Sequence, residues 1–112
     1  MLTIYHNPRC SKSRQTLQLI EEAGKEVRIV EYLKTPLDEQ TINALLAQLG
    51  VSPIEMMRTK EVEFKEQNLK GVSDEQLISA MVTTPKLIER PIVTNNDKAI
   101  IGRPPENVNV FL

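Results

Sequence analysis

Leu2-Thr3-Ile4-Tyr5-His6-Asn7-Pro8-Arg9-Cys10, continued by Ser11 to Gly24, is the stretch whose reading decides the architecture. The first four residues are apolar and β-prone, and they stop at Asn7-Pro8, a turn signal. Beyond Pro8 the period changes. Leu17 and Ile20 stand three apart, Glu21 and Glu22 face outward, and Gly24 supplies a left-handed stop. The order is strand, turn, helix, with Cys10 at or just before the first helical turn. Val27 to Tyr32 is a second β-branched and aromatic run, ending before Pro36. Strand–helix–strand with a short return predicts a parallel pair and a right-handed crossover.

Working outward, Asp38 is placed to cap a helix whose Ile42, Leu45, Leu46 and Leu49 follow the i, i+3, i+4, i+7 stripe until Gly50 ends it. Ser52-Pro53-Ile54-Glu55 reads as a capping box with proline at the first helical position, leading a short helix through Met56 and Met57. Lys60 to Leu69 reads as a weakly patterned helix. Ser73-Asp74-Glu75-Gln76 is another capping box, feeding Leu77, Ile78, Met81 and Val82 before Pro85. Met56, Met57 and Met81 stand at helical spacing and read as core. The period then falls to two. Pro91 to Thr94, the turn Asn95-Asn96-Asp97 and Ala99 to Ile101 predict a hairpin, and a short helix from Glu106 to Phe111 follows Pro104-Pro105. The expected fold is α/β, a four-stranded mixed sheet in the order β-α-β, helices, β-β-α. It forms one domain over residues 1–112 with a helical insertion at roughly 38–84.

The 112 residues are 40% hydrophobic and 26% charged, which excludes disorder and collagen-like structure. Fourteen Lys and Arg against fifteen Asp and Glu give a net charge of −1, so a dedicated nucleic-acid or membrane-surface binder is not expected. No apolar run approaches the roughly 20 residues that span a bilayer. The run before His6 is too short for a signal peptide's apolar stretch. One cysteine and one histidine make a poor metal set. A cytoplasmic, reduced, metal-free protein is expected.

That neutral average hides a local positive field. From Met1 to Ile20 there is no acid, while Arg9, Lys12 and Arg14 surround the lone Cys10. A free thiol with a pKa of ~8.5 is only about 3% ionised at pH 7, and the thiolate is the nucleophile. A helix N-terminus stabilises a negative charge by about 0.3–1 and at most ~2 kcal/mol, of the order of one pKa unit. His6, Arg9, Lys12 and Arg14 are near enough in sequence to add to this, and Ser13 could donate a hydrogen bond to the sulfur. The alternative is a capped helix with a buried, inert cysteine. The same geometry suits an oxyanion, which docks at helix N-termini and on the planar fork of arginine. Arg58, Arg90 and Arg103 are candidates, although each taken alone reads rather as solvated surface. Three features narrow the chemistry. Cys10-Ser11-Lys12-Ser13 holds no Cys-x-x-Cys pair, Thr16 stands where cysteine phosphatases carry arginine, and the four glycines form no nucleotide loop.

Tyr5-His6-Asn7-Pro8-Arg9-Cys10 with Ser13-Arg14-Gln15-Thr16-Leu17 resembles the nucleophile loop of glutaredoxin-dependent arsenate reductases. The resemblance runs on through Glu31-Tyr32-Leu33, Met57-Arg58, Leu77-Ile78, Leu87 to Val93 and Gly102-Arg103-Pro104, as in the family's short branch. It implies a thioredoxin-like fold in which Pro91 is cis and faces the nucleophile. Residue by residue, Cys10 matches the nucleophile, Arg58, Arg90 and Arg103 the oxyanion-binding arginines, and His6 and Ser13 residues near the thiolate, with Arg14 beside them. The implied activity is reduction of arsenate to arsenite, with no bound cofactor, glutathione as co-substrate and glutaredoxin as partner; a monomer is expected. The chain departs from the characterised pattern in carrying Ser11-Lys12 where Gly-Thr is usual. A more distant resemblance is to Spx-type regulators that bind RNA polymerase, although Ser13 replaces their second thiol. A thiol oxidoreductase acting on another oxyanion is a further alternative. A monothiol glutaredoxin-like module ranks last, since the Gly-Phe such modules carry after the cysteine is absent.

Overall fold

The computed structural model describes residues 1–112. The chain divides into two compact units, Met1–Thr35 with Arg90–Leu112, and Pro36–Glu89.

The first unit is built on a four-stranded sheet. Strands β1 (Leu2–Tyr5), β2 (Val27–Val30), β3 (Ile92–Thr94) and β4 (Ala99–Ile101) lie in the order β2-β1-β3-β4. β1 runs parallel to β2 and antiparallel to β3, and β3 and β4 form the antiparallel hairpin. The helix α1 (Ser11–Glu22) makes the crossover between the parallel strands. This is a mixed α/β sheet of the thioredoxin-like kind. Alternation places Leu2 and Ile4 on one face of β1, where they form a core cluster with Ile20 of α1, Val93 and Val108. Leu17, Val27, Ile100 and Phe111 pack around its edge.

Two local readings of this unit need correction. β2 ends at Val30, not Tyr32, because the Glu31 carbonyl accepts from the amides of Lys34 and Thr35 and turns the chain out of the ladder. Tyr32 is buried all the same, and its burial gives the sequence its strand-like look. The C-terminal segment Pro105–Phe111 is a 3₁₀ helix rather than an α-helix from Glu106. The apolar residues Pro105, Val108 and Phe111 stand three apart. A helix with three residues per turn stacks all three in one row, whereas 3.6 would turn each about 60° from the last.

The second unit holds α2 (Glu39–Leu49), α3 (Val62–Glu66) and α4 (Asp74–Thr83). Asp38 caps α2, its carboxylate accepting from the Thr41 amide at 2.8 Å, and Gly50 closes the helix at φ 69°. Ser73 and Gln76 form a complete capping box on α4. Met56, Met57 and Met81 are buried. Ser52 does not cap, however. Pro53–Met56 is a single 3₁₀ turn, and Met57 is already extended, in a bridge to Ile88. The bridge carries Met57 into strand pairing, so the helix stops after a single turn. The weak pattern over 60–69 condenses to five helical residues of α3, with Phe64 buried. No helix in either unit is long and apolar enough to cross a membrane.

Candidate active site

Asn7-Pro8 brings Cys10 to the start of α1. The Cys10 amide donates to the Asn7 carbonyl at 3.0 Å, a β-turn with proline at its second position, where a fixed φ is favourable. The Asn7 side chain closes the same turn by accepting from the Arg9 amide at 3.0 Å. Cys10 then stands at the N-cap, extended at φ −94° and ψ 123°, and its carbonyl takes the Arg14 amide as the first helical bond. Cysteine is an unusual residue there. Ser, Thr, Asp and Asn are preferred because an oxygen can accept from the free amides two and three residues on. Here a sulfur occupies that place. No capping bond of full geometry reaches it, so those amides act on its charge rather than as a fixed cap. The first turn of α1 has no acidic residue to compete for the helix's positive end.

Burial pushes the Cys10 thiol up, but this is outweighed. The Ser13 amide, a hydrogen bond from the Arg90 side chain, the Lys12 amide and the Arg90 charge together hold it below its ordinary value. Arg103 adds a second guanidinium, with Nη1 at 3.8 Å from Sγ. Arg90 and Arg103 each precede a proline, and both the Arg90–Pro91 and Arg103–Pro104 bonds are cis. The Nε of Arg90 is buried with no hydrogen-bond partner. A buried donor left unmatched costs about 1–3 kcal/mol. It is therefore a place where an acceptor oxygen would be stabilising.

Ser13 acts on the sulfur through its amide and not through its hydroxyl. The hydroxyl oxygen lies 2.6 Å from His6 Nδ1 and accepts from the Asn7 amide at 3.0 Å. The hydroxyl bond to sulfur expected from sequence is thus replaced by a buried tie between β1's end and α1. Burial lowers the pKa of His6, Glu31 and Glu21 oppose this, and Arg14 adds to it, so the ring is held toward its neutral form. Arg14 itself donates to the Pro8 carbonyl at 3.0 Å, bracing the loop. Asn7 and the Lys12 amide were not singled out from sequence. The Asn-Pro pair was the available signal for the first, and the N-cap position of Cys10 for the second.

Cys10, His6, Ser13, Arg14, Arg90 and Arg103 all belong to the first unit. Arg58 belongs to the second, where its Nε donates to Glu61 at 3.0 Å and its Nη1 to Glu89 at 3.3 Å. Its charge is met there by two carboxylates. No group of three or more His, Cys, Asp or Glu is arranged to hold a metal ion.

A family model described as the ArsC family matches residues 5–111. The chain belongs to the ArsC family. Among curated ArsC relatives, it is 45% identical to an arsenate reductase of Haemophilus influenzae, over 94% of this chain and 93% of that one. It is 58% identical to the uncharacterised protein YfgD of Escherichia coli, over 94% and 91% of the two chains. Among solved structures, an arsenate reductase of Vibrio cholerae superposes with a TM-score of 0.94 at 47% identity, covering 99% of this chain and 97% of that one.

Arg90→Ala should move the Cys10 thiolate titration to higher pH, followed by ultraviolet absorbance. The sign has a stability counterpart. A thiol held low in the folded chain favours folding above its unfolded pKa of ~8.5, and that contribution fades as pH falls through the lower folded value. Removing Arg90 should narrow this window, and a titration that does not move removes Arg90 from the site.

Proposed function

We propose that the protein reduces arsenate to arsenite, with Cys10 as the nucleophile and external thiols as the reductant. The observation that carries this reading is the convergence of the Arg90 and Arg103 side chains on one sulfur at a helix N-terminus, in a chain of the ArsC family.

In the proposed cycle Arg90 and Arg103 hold the oxyanion, and the unmatched Nε of Arg90 donates to one of its oxygens. The family resemblance adds Arg58 as a third candidate for oxyanion binding. The Cys10 thiolate attacks arsenic, a sulfur–arsenic bond forms, and one oxygen leaves with added protons as water. A glutathione thiolate then attacks the Cys10 sulfur. A disulfide forms, the sulfur–arsenic bond breaks, and its electron pair stays on arsenic, which departs as arsenite. Two thiols have given up two electrons, and arsenic(V) has become arsenic(III). Glutaredoxin attacks the glutathione sulfur of the mixed disulfide and returns Cys10 as thiolate. Both resolving thiols come from outside, because Cys10 is the only cysteine.

His6, Ser13 and Arg14 serve by fixing the loop and the amides that face the sulfur. Ser11-Lys12 in place of Gly-Thr is compatible with this, since the Lys12 and Ser13 amides still act on Cys10. No resident cofactor is required, and a monomer in the reducing cytoplasm completes the proposal.

The test is a coupled assay in which glutathione, glutaredoxin and glutathione reductase report turnover as NADPH oxidation. Oxidation should depend on arsenate and on this protein together. Fully reduced protein that gives no arsenate-dependent oxidation would sink the arsenate reading and leave a thiol chemistry directed at another oxyanion.

A further inference from the structure

Thr16 is polar and fully buried, in the second turn of the helix that Cys10 caps. Its hydroxyl lies 2.8 Å from the Lys12 carbonyl oxygen and 3.4 Å from that of Gly102, 86 positions away in sequence. A hydroxyl has one proton. The Lys12 carbonyl therefore takes the main bond, and Gly102 shares it. Lys12 is also a residue whose amide stabilises the Cys10 thiolate.

Gly102 comes unusually close. A Cβ there would stand 2.6 Å from Thr16 Oγ1, 3.1 Å from Thr16 Cγ2 and 2.8 Å from Pro91 Cγ. Its amide donates to the Pro91 carbonyl at 2.9 Å. Gly102 directly precedes Arg103, and Pro91 directly follows Arg90. Thr16 thus touches the backbone that carries one guanidinium and, through Gly102, the backbone that carries the other. The helix bearing the sulfur and the two arginine-bearing strand ends meet at this side chain.

We infer that Thr16 is a positioning residue, whose hydroxyl fixes the register between α1 and the Gly102–Arg103 backbone and so sets the spacing of Arg103 from the Cys10 sulfur. The inference rests on the Cys10–Arg103 pairing of the proposed site, and it does not depend on which oxyanion is the substrate. A buried threonine that only fills space and bonds back along its own helix is the competing account.

The two accounts separate in the reactivity of Cys10. Thr16→Val keeps the branched shape and removes the proton donor, while Thr16→Ser keeps the donor. Below the thiol pKa, alkylation by iodoacetamide follows the thiolate fraction. Thr16→Val should slow alkylation roughly threefold, the equivalent of about half a pH unit in the titration. Thr16→Ser should react like the parent chain. In an Arg103→Ala background, Thr16→Val should slow alkylation no further, because the contact it regulates is gone. If Thr16→Val does not fold, Thr16→Ala provides the same comparison.

Parent-like alkylation in Thr16→Val would overturn the inference. So would an equal slowing with and without Arg103, even if thermal stability fell. Neither readout involves arsenate, so a chain without arsenate turnover leaves this test standing.

Discussion

Cys10→Ser protein should fold, bind a tetrahedral oxyanion and turn nothing over. The substitution exchanges one atom at the N-cap of α1. Serine is a preferred N-cap, and cysteine is not, so the helix should be no less stable, and a gain of up to about 1 kcal/mol is expected. The guanidinium groups of Arg90 and Arg103 remain, and the negative sulfur that would repel an anion is absent. Inorganic phosphate, as a tetrahedral probe in calorimetry, should therefore bind at least as well as to the parent chain. Turnover should nevertheless fall by roughly three orders of magnitude or more, as when a covalent nucleophile is deleted. The thiol is held low by its surroundings, and an alcohol in the same place offers neither the ionisation nor the soft lone pair that arsenic requires. Residual arsenate-dependent NADPH oxidation within about tenfold of the parent would show that Cys10 is not the nucleophile. Loss of phosphate binding together with activity would instead place the defect in the cradle.

Gly102→Ala should cost more stability than any exposed substitution. The new methyl would meet the Thr16 hydroxyl at 2.6 Å and the Pro91 ring at 2.8 Å, closer than real Cβ atoms approach. Neither neighbour is the free end of a flexible chain. Thr16 is buried on α1 and Pro91 is buried in the backbone leading into β3. Backbone must shift, and forced overpacking of this kind costs about 1–3 kcal/mol. For a domain of this size each kcal/mol lowers the melting temperature by roughly 4 °C or more. The shift should also carry Arg103 away from Cys10, so the thiol should titrate higher than in the parent. Thermal unfolding within about one degree of the parent would show that the close approach is relieved at no cost.

These two residues mark the difference between what is legible locally and what is not. The Asn7–Cys10 turn, the Asp38 cap, the Ser73–Gln76 box and the Asn95–Asp97 turn are made by side chains bonding to backbone a few positions away. Such bonds need no distant partner, so residue type and spacing specify them. Ser52 shows where the same reasoning fails: a good capping sequence is overruled when pairing of Met57 with Ile88 draws the chain out of helix. The C-terminal segment fails differently. Its spacing of three was present in Pro105, Val108 and Phe111, and it fits a 3₁₀ helix pressed onto the core cluster.

For the site, the sequence shows a thiol at a helix start in a positive stretch, and a resemblance groups three arginines with it. Distance along the chain says nothing of distance in space. Arg103 lies 93 positions from Cys10 and 3.8 Å from its sulfur. Arg58 carries the same side chain and is engaged by Glu61 and Glu89, because a long cation settles on whichever carboxylates its own unit presents. Likewise the Ser13 hydroxyl turned to His6, leaving only the amide to the sulfur.

By itself, then, the sequence determined the order of most elements, the Asp38 and Ser73 caps and the turns, and it singled out Cys10 as the candidate thiol, since these follow from short-range backbone chemistry and side-chain type. The tertiary structure alone decided the strand order β2-β1-β3-β4, the close approach of Gly102 to Thr16, and which guanidinium groups reach the sulfur. Those depend on how strands pair and pack across long separations, where a difference of one ångström in backbone position changes which charged groups meet.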